Sequence, residues 1–269
     1  MIMSVNDSEY KKYLSGMDII GDIAIIKIKP EFSSNKSIIS DMILSNIKNV
    51  RSIYLQTTGV TGKYRVKTLS YLSGLNDPVT IYRESGCQFL IDVSKVYFSP
   101  RLSNERLRIA KLVQPNEKLL NMFAGVGPFS IIISKNQPSC KITDIEINPV
   151  ASEYAMENYR LNKTKNITSI CGDSHDIINK ELSSDFSRIL MPLPEKSIEF
   201  LDDAVSMIDK KGWIHLYWHL NSSDNDVLTN CNAILNEKLY DNCKISFSRI
   251  VKHIGPGWYQ IVFDIQVNK

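Results

Sequence analysis

From residue 102 onward, short apolar runs alternate with helical stretches. That alternation limits the folds open to this chain more than any other feature. "KLLNMF", "CKITDI", "ITSICG", "SRILM" and "GWIHLYW" are short and apolar, and helical spacing fills the gaps between them, as at 149–162 and 196–209. Strands separated by helices make βαβ units and hence a doubly wound, mostly parallel sheet. The end differs. "CKISFSRIVKH" and "GPGWYQIVFDIQV" are two long β runs joined by "IGPG", which predicts an antiparallel edge on that sheet.

Before residue 102 the rhythm is another one. "DIIGDIAIIKI" is β-rich, 35–50 has helical spacing, and "SIYLQTT" and "GKYRVKTLSYLSG" alternate like strands, the second carrying Arg65. Residues 79–93 read as a hairpin turning at Glu84-Ser85-Gly86. The expected organisation is therefore a polar lead-in over 1–17, a small α+β domain over 18–101, and the α/β domain over 102–269, which opens with a basic amphipathic helix at 102–113. A chain of 269 residues is long enough for one large or two small cores.

"LLNMFAGVGPFSI" has the order strand, Gly125-Val126-Gly127, helix. A glycine turn there brings backbone N–H groups and a helix N-terminus close to a ligand. The third glycine of a dinucleotide fingerprint would fall at position 130, which is Ser130, so the match is partial. Glu146 ends the second strand, 19 residues after Gly127, where a carboxylate can accept from a ribose diol. Asp173 ends the third, where a carboxylate can take an adenine amino group. Gly-x-Gly, Glu and Asp at three successive strand ends point to an adenosine-containing cofactor.

Charge is concentrated in one region. Between Arg51 and Lys111 lie ten basic residues and four acidic ones, inside a chain of net charge +3. Such a segment suits a polyanion. None of the five cysteines forms a CxxC pair and no apolar run is long enough to span a membrane, so reduced thiols, a cytoplasmic location and no membrane partner are expected. His215 and His219 share one face of a strand about 13 Å apart, too far for one metal ion, and no metal site is expected.

The layout resembles class I S-adenosylmethionine-dependent methyltransferases, which have seven strands with an antiparallel last pair. More closely, "VYFSPRLSNER", "NMFAGVGPFSI", "IEINPVA", "GDSHD", "LMPLPEKSIEFLD" and "GWIHLYW" follow the order and spacing of the archaeal and eukaryotic tRNA (guanine-N1)-methyltransferases that modify guanosine 37. The resemblance runs from Asp18 to the C-terminus. It implies S-adenosylmethionine as cofactor and the tRNA anticodon stem-loop as partner; a monomer is expected. By the family's pattern, cofactor contacts fall on Tyr97, Asn121, Phe123, Gly125, Val126, Gly127, Glu146, Ile147, Asn148, Asp173 and Pro192. The general base falls on Glu105, the partner of guanine O6 on Arg65, and a supporting arginine on Arg101.

That assignment is chemically coherent. Guanine N1 carries a proton at neutral pH, so methylation there needs a carboxylate to remove it. The charge then spreads onto O6, where a fixed guanidinium stabilises it. Glu105 has a plainer reading as well, an ion pair with Arg101 or with Arg108 one helical turn on. The chain departs from the family in three places. Asn121 replaces an Asp, and Pro192-Leu193-Pro194 replaces "NLP", removing a side-chain amide and an N–H. About 17 residues precede the second domain, as in a short member without the N-terminal domain that touches the outer corner of tRNA. The altered proline motif keeps open an alternative on the same tRNA position: wyosine-pathway C7-methylation of the tricyclic precursor, or aminocarboxypropyl transfer.

Overall fold

A computed structural model describes residues 9–223 and 226–269, apart from the side chains of Val60 and Thr61. Chain contacts divide it into two compact units, Met1–Ser103 and Asn104–Lys269.

In the first unit, β1 (Leu14–Ile20), β2 (Ile23–Ile28), β3 (Ser52–Thr61) and β4 (Val66–Gly74) form a sheet in that order. β2 and β3 run parallel, joined through α1 (Lys36–Asn46). Ile39 and Ile43, one turn apart on α1, bury themselves with Ala24, Ile26 and Ile53 of the sheet. Tyr10 joins the same core, in a 3₁₀ turn ahead of β1. The described part of the expected lead-in is therefore built into the domain, because an aromatic ring gains more by burial than a polar tail loses by ordering. The lead-in's residues 1–8 lie outside the described residues.

β5 (Val79–Glu84) and β6 (Cys87–Asp92) form the hairpin expected at 79–93. Its two central residues, Ser85 (φ 49°) and Gly86 (φ 73°), are both left-handed, as a tight hairpin turn requires. Arg65 is not within a strand. It ends the β3–β4 turn at φ 56°, an uncommon conformation for a residue with a side chain.

The second unit begins on α2, which spans Ser103–Leu112. There follow β7 (Lys118–Asn121), α3 (Pro128–Asn136), β8 (Lys141–Glu146), α4 (Pro149–Leu161), β9 (Ile167–Cys171), α5 (Ser174–Glu181), β10 (Phe186–Met191), α6 (Leu201–Met207), β11 (Ile208–Asn221), α7 (Val227–Asn236), β12 (Cys243–Gly255) and β13 (Trp258–Asn268). The seven strands lie in the order β12-β13-β11-β10-β7-β8-β9. β7 to β11 run parallel, while β13 and β12 close one edge antiparallel. The chain goes from β7 outward through β8 and β9, then returns to β10 on the other side. β7 is thus the topological switch point, where such sheets leave a crevice at their carboxyl ends.

β11 shows how the sheet sorts its residues. Ile214, Leu216, Trp218 and Leu220 enter the apolar core with β13 residues Ile261, Phe263 and Ile265. The alternate residues Trp213, His215, Tyr217 and His219 fall on the opposite face by the period of two. On that face the Tyr217 ring lies 5.9 Å from Phe129 of α3.

Candidate active site

The glycine turn leaves β7 at the switch point. Gly125 (φ 57°) and Gly127 (φ 81°) are both left-handed, and Gly127 caps α3. A Cβ on Gly127 would meet the Tyr159 ring at 2.6 Å, so this position needs glycine for space as well as for conformation. Tyr159 donates from its hydroxyl to Asp144 Oδ2 at 2.5 Å, and Ser130, on the first turn of α3, donates to Asp144 Oδ1. Asn121 Nδ2 donates to Ser130 Oγ at 3.1 Å. Asp144 is fully enclosed, and burial pushes its carboxyl up to about 6 against the opposing hydrogen bonds of Ser130, Tyr159 and Asn121. The asparagine at 121 now has a physical reason: an aspartate there would put a second carboxylate beside a buried one.

Glu146 Oε2 accepts the Gly125 N–H at 2.6 Å, and Oε1 accepts the Asn148 N–H at 2.8 Å. Burial raises its pKa, opposed by these backbone donors. Two donors leave lone-pair positions on the carboxylate for a diol. Asn148 Oδ1 caps α4 through the Val150 N–H at 3.1 Å. Asp173 caps α5, its Oδ1 accepting the His175 N–H at 3.0 Å. Phe123 is half-buried edge-on to Phe200, with ring centroids 5.0 Å apart, and Val126 is fully buried. Pro192, half-buried, follows β10 directly. Beyond it, Leu193 O accepts the Ser197 hydroxyl at 2.8 Å and Pro194 O accepts the His219 N–H at 2.9 Å, which secures the turn without the missing amide.

These features fit an adenosine-containing group. The N–H groups at the head of α3 face away from helical partners, and acids stand at the ends of β8 and α5's cap. Among the described residues, buried Asn121 Oδ1 has no hydrogen-bond partner from the protein, which a polar ligand group would supply.

Glu105, on the first turn of α2, is 1% exposed. Its carboxylate sits in a charged cluster that local spacing only partly shows. Arg108 Nε donates to Oε2 at 3.1 Å, the Tyr217 hydroxyl donates to Oε2 at 3.0 Å, and Arg249 Nη2 of β12 contacts Oε1. The Arg108 pairing is the i,i+3 pair that the sequence suggested, and the other two partners were not in view. Arg108 also grips Asp264 of β13 in a fork, at 2.6 and 3.1 Å. Asp264 Oδ1 lies 2.6 Å from His215 Nδ1, and Arg188 Nη1 lies 2.7 Å from His215 Nε2. A guanidinium has only donors, so His215 accepts at Nε2 and donates from Nδ1 to Asp264 as a neutral ring. Burial lowers the His215 pKa in agreement. Burial works against the Asp264 charge, but the His215 hydrogen bond and the Arg108 guanidinium hold its carboxyl down at about 2.

Tyr97, Arg65 and Arg101 belong to the first unit. The Arg65 guanidinium stands over the Tyr97 ring, 5.9 Å from its centroid. Arg101 finds its carboxylate partner within the first unit. Its Nε donates to Asp18 Oδ1 at 2.7 Å. Asp144, Tyr159, Tyr217, Arg249, Asp264 and His215 escaped sequence reasoning as site residues. For Asp264 and His215 a signal existed, a polar residue inside an apolar strand run.

The second unit's sheet order, switch-point glycine turn and acidic strand ends define a class I S-adenosylmethionine-dependent methyltransferase fold. Residues 80–244 match the TRM5/TYW2 methyltransferase domain and residues 2–77 match the TYW2 N-terminal domain. The chain belongs to the TRM5/TYW2 family. It is 37% identical to the tRNA (guanine(37)-N(1))-methyltransferase Trm5b of Pyrococcus abyssi, over 97% of this chain and 77% of that protein. It is 34% identical to the tRNA 4-demethylwyosine(37)-methyltransferase Taw21 of Saccharolobus solfataricus, over 94% of each. Its structure is similar to that of aTrm5 in a complex with tRNALeu, with a TM-score of 0.85 and 34% identity over 100% of this chain and 80% of that one.

Proposed function

We propose that this protein transfers a methyl group from S-adenosylmethionine to N1 of guanosine 37 in tRNA. The observation that carries this reading is Glu105: a carboxylate buried to 1% exposure at the head of α2, in a chain related to guanosine-37 N1-methyltransferases. A buried carboxylate among cations is costly to keep and is found where chemistry uses it.

Glu105 accepts the N1 proton of guanine, and Arg65 stabilises the charge that moves onto O6. Arg101 supports the substrate. Tyr97, Phe123 and Ile147 enclose the adenosine portion, Glu146 takes the ribose hydroxyls, Asp173 takes the adenine amino group, and the turn at Gly125, Val126 and Gly127 lets the backbone approach it closely. Asn148 and Pro192 border the same crevice. When bound, S-adenosylmethionine supplies the methyl group from its sulfonium. The protein's own contribution is to hold N1 in line with that methyl, to exclude water and to remove one proton. The target base must leave its stack to enter, and an anticodon-loop base does so at lower cost than a helical one.

One incubation tests the reading. The protein is mixed with S-adenosylmethionine and an unmodified transcript carrying G37, and the nucleosides are analysed by mass spectrometry. Formation of 1-methylguanosine, lost in a G37→A transcript, is the expected result. No methyl gain on G37 would overturn it, as would an aminocarboxypropyl gain. The wyosine-pathway alternative is then read by supplying tRNA that carries the tricyclic precursor.

A further inference from the structure

The three donors on Glu105 differ in one respect. Tyr217 is fully buried and the Arg108 side chain is 21% exposed, but the Arg249 side chain is 44% exposed. Arg108 and Tyr217 both act on Oε2. Arg249 covers Oε1, so the oxygen with room for another partner is the one closed by the most exposed of the three. A base that takes a proton from guanine N1 must come within about 3 Å of that proton's nitrogen. With Arg249 in place, Oε1 is screened from such an approach.

Arg249 sits on β12, the outer strand of the sheet. Its strand neighbours include Lys244, Lys252 and exposed His253, and no acidic residue occurs from Cys243 through Phe263. Pairing with β13 slips between Ile245 and Phe247 and again between Ile250 and Lys252, so irregular backbone brackets Arg249 on both sides. Exposed Phe247 and Trp258 flank the same stretch. An edge of cations and aromatic rings without acids matches a single-stranded nucleic-acid backbone.

We propose that Arg249 is a latch on Glu105 that a tRNA backbone phosphate draws away. In the free protein, Arg249 neutralises the buried carboxylate and holds it closed. When RNA lies along β12, the guanidinium exchanges the carboxylate for a phosphate, a partner that suits its fork equally well. Oε1 is then open to the N1–H, and one proton passes from N1 to that oxygen. Arg108 and Tyr217 stay on Oε2 and fix its aim, with Arg108 anchored behind by Asp264 and His215. The base is thereby competent only when RNA is in place. Arg249 is a positioning residue here, acting through Glu105, and the inference rests on the proposal that Glu105 is the base.

The test is the pH dependence of Arg249→Gln, with Glu105→Gln alongside. kcat/KM reports ionisations in the free enzyme, and the saturating single-turnover rate reports those in the complex. Removing a cation from beside the carboxylate moves the acidic limb of kcat/KM up by about one pH unit or more. The acidic limb of the saturating rate is expected to stay put, because Arg249 has already left in the complex. Equal movement of both limbs, or of neither, overturns the latch. Glu105→Gln with near-native activity overturns the base assignment itself and the latch with it, while an inactive Glu105→Gln keeps the two failures distinct. Should Arg249→Gln fail to fold, carboxyl ¹³C NMR of glutamate-labelled wild-type protein replaces it. The Glu105 titration midpoint is expected to rise on adding an anticodon stem-loop RNA, and an unchanged midpoint overturns the proposal.

Discussion

The Tyr159 ring occupies the space that a side chain at position 127 would need. Its Cε1 lies 2.6 Å from where a Cβ on Gly127 would stand, and its hydroxyl is held by Asp144 at 2.5 Å, so the ring has little freedom to retreat. Gly127→Ala therefore forces either a strained left-handed alanine or a broken Tyr159–Asp144 bond. The expected cost is about 2 kcal/mol of stability by urea unfolding. Calorimetric titration with S-adenosylmethionine is expected to show at least about tenfold weaker binding, equivalent to 1.4 kcal/mol. Native affinity in this variant would mean the turn is not part of the cofactor site.

Asp144 makes stability depend on pH in an unusual direction. Its carboxyl is pushed up to about 6 in the folded protein from an ordinary 3.8, so the folded state binds the proton more tightly. Its contribution is fully present below pH 3.8 and is lost as pH rises through about 6. The unfolding free energy of wild type, taken relative to Asp144→Asn, is expected to fall across that window by an amount on the order of 2 kcal/mol. A difference that is flat between pH 4 and 7 would contradict the buried assignment.

Asp264 works the other way. Its carboxyl is held at about 2, below the ordinary 3.8, so its stabilisation is present above pH 3.8 and disappears as pH falls through about 2. At pH 7, Asp264→Asn leaves Arg108 half-paired and is expected to cost about 3 kcal/mol. Chemical denaturation at pH 7 checks this, and a loss below about 1 kcal/mol would show that the cluster relaxes around the change.

Glu105→Gln removes the proposed base while retaining the shape of the side chain. The expected result is a fall in the methylation rate of about 10²–10⁴-fold, with S-adenosylmethionine binding unchanged. Arg65→Ala is expected to lower the same rate by about 10²-fold, since the charge on O6 loses its partner. Single-turnover assays with a G37 transcript measure both.

tRNA binding is expected to weaken steeply with salt, because exposed cations between Arg51 and Lys111, such as Lys63, Arg83 and Lys111, and those of the edge strand β12 would act on phosphates. Filter binding between 50 and 200 mM salt gives the slope of log K against log salt concentration. A slope near zero would refute an electrostatic interface.

What the sequence determined by itself was local. A strand, a glycine turn and a helix N-terminus lie within a dozen residues, so Gly125 and Gly127 could be placed from spacing alone, and Glu146 and Asp173 followed as the ends of the next strands. The antiparallel edge was legible too, since two long β runs with a short Gly-Pro turn between them have few other ways to pair. Tertiary structure decided the surroundings of Glu105. Tyr217, Arg249 and Asp264 stand more than a hundred residues from the α2 residues they engage, at separations of 112, 144 and 156 positions. They meet α2 only because the register of β11, β13 and β12 aligns them on one sheet face, and a shift of one residue would turn every one of those side chains away. Tyr159 over Gly127 is of the same kind: the packing of α4 against the turn, not any spacing in the sequence, sets that 2.6 Å approach.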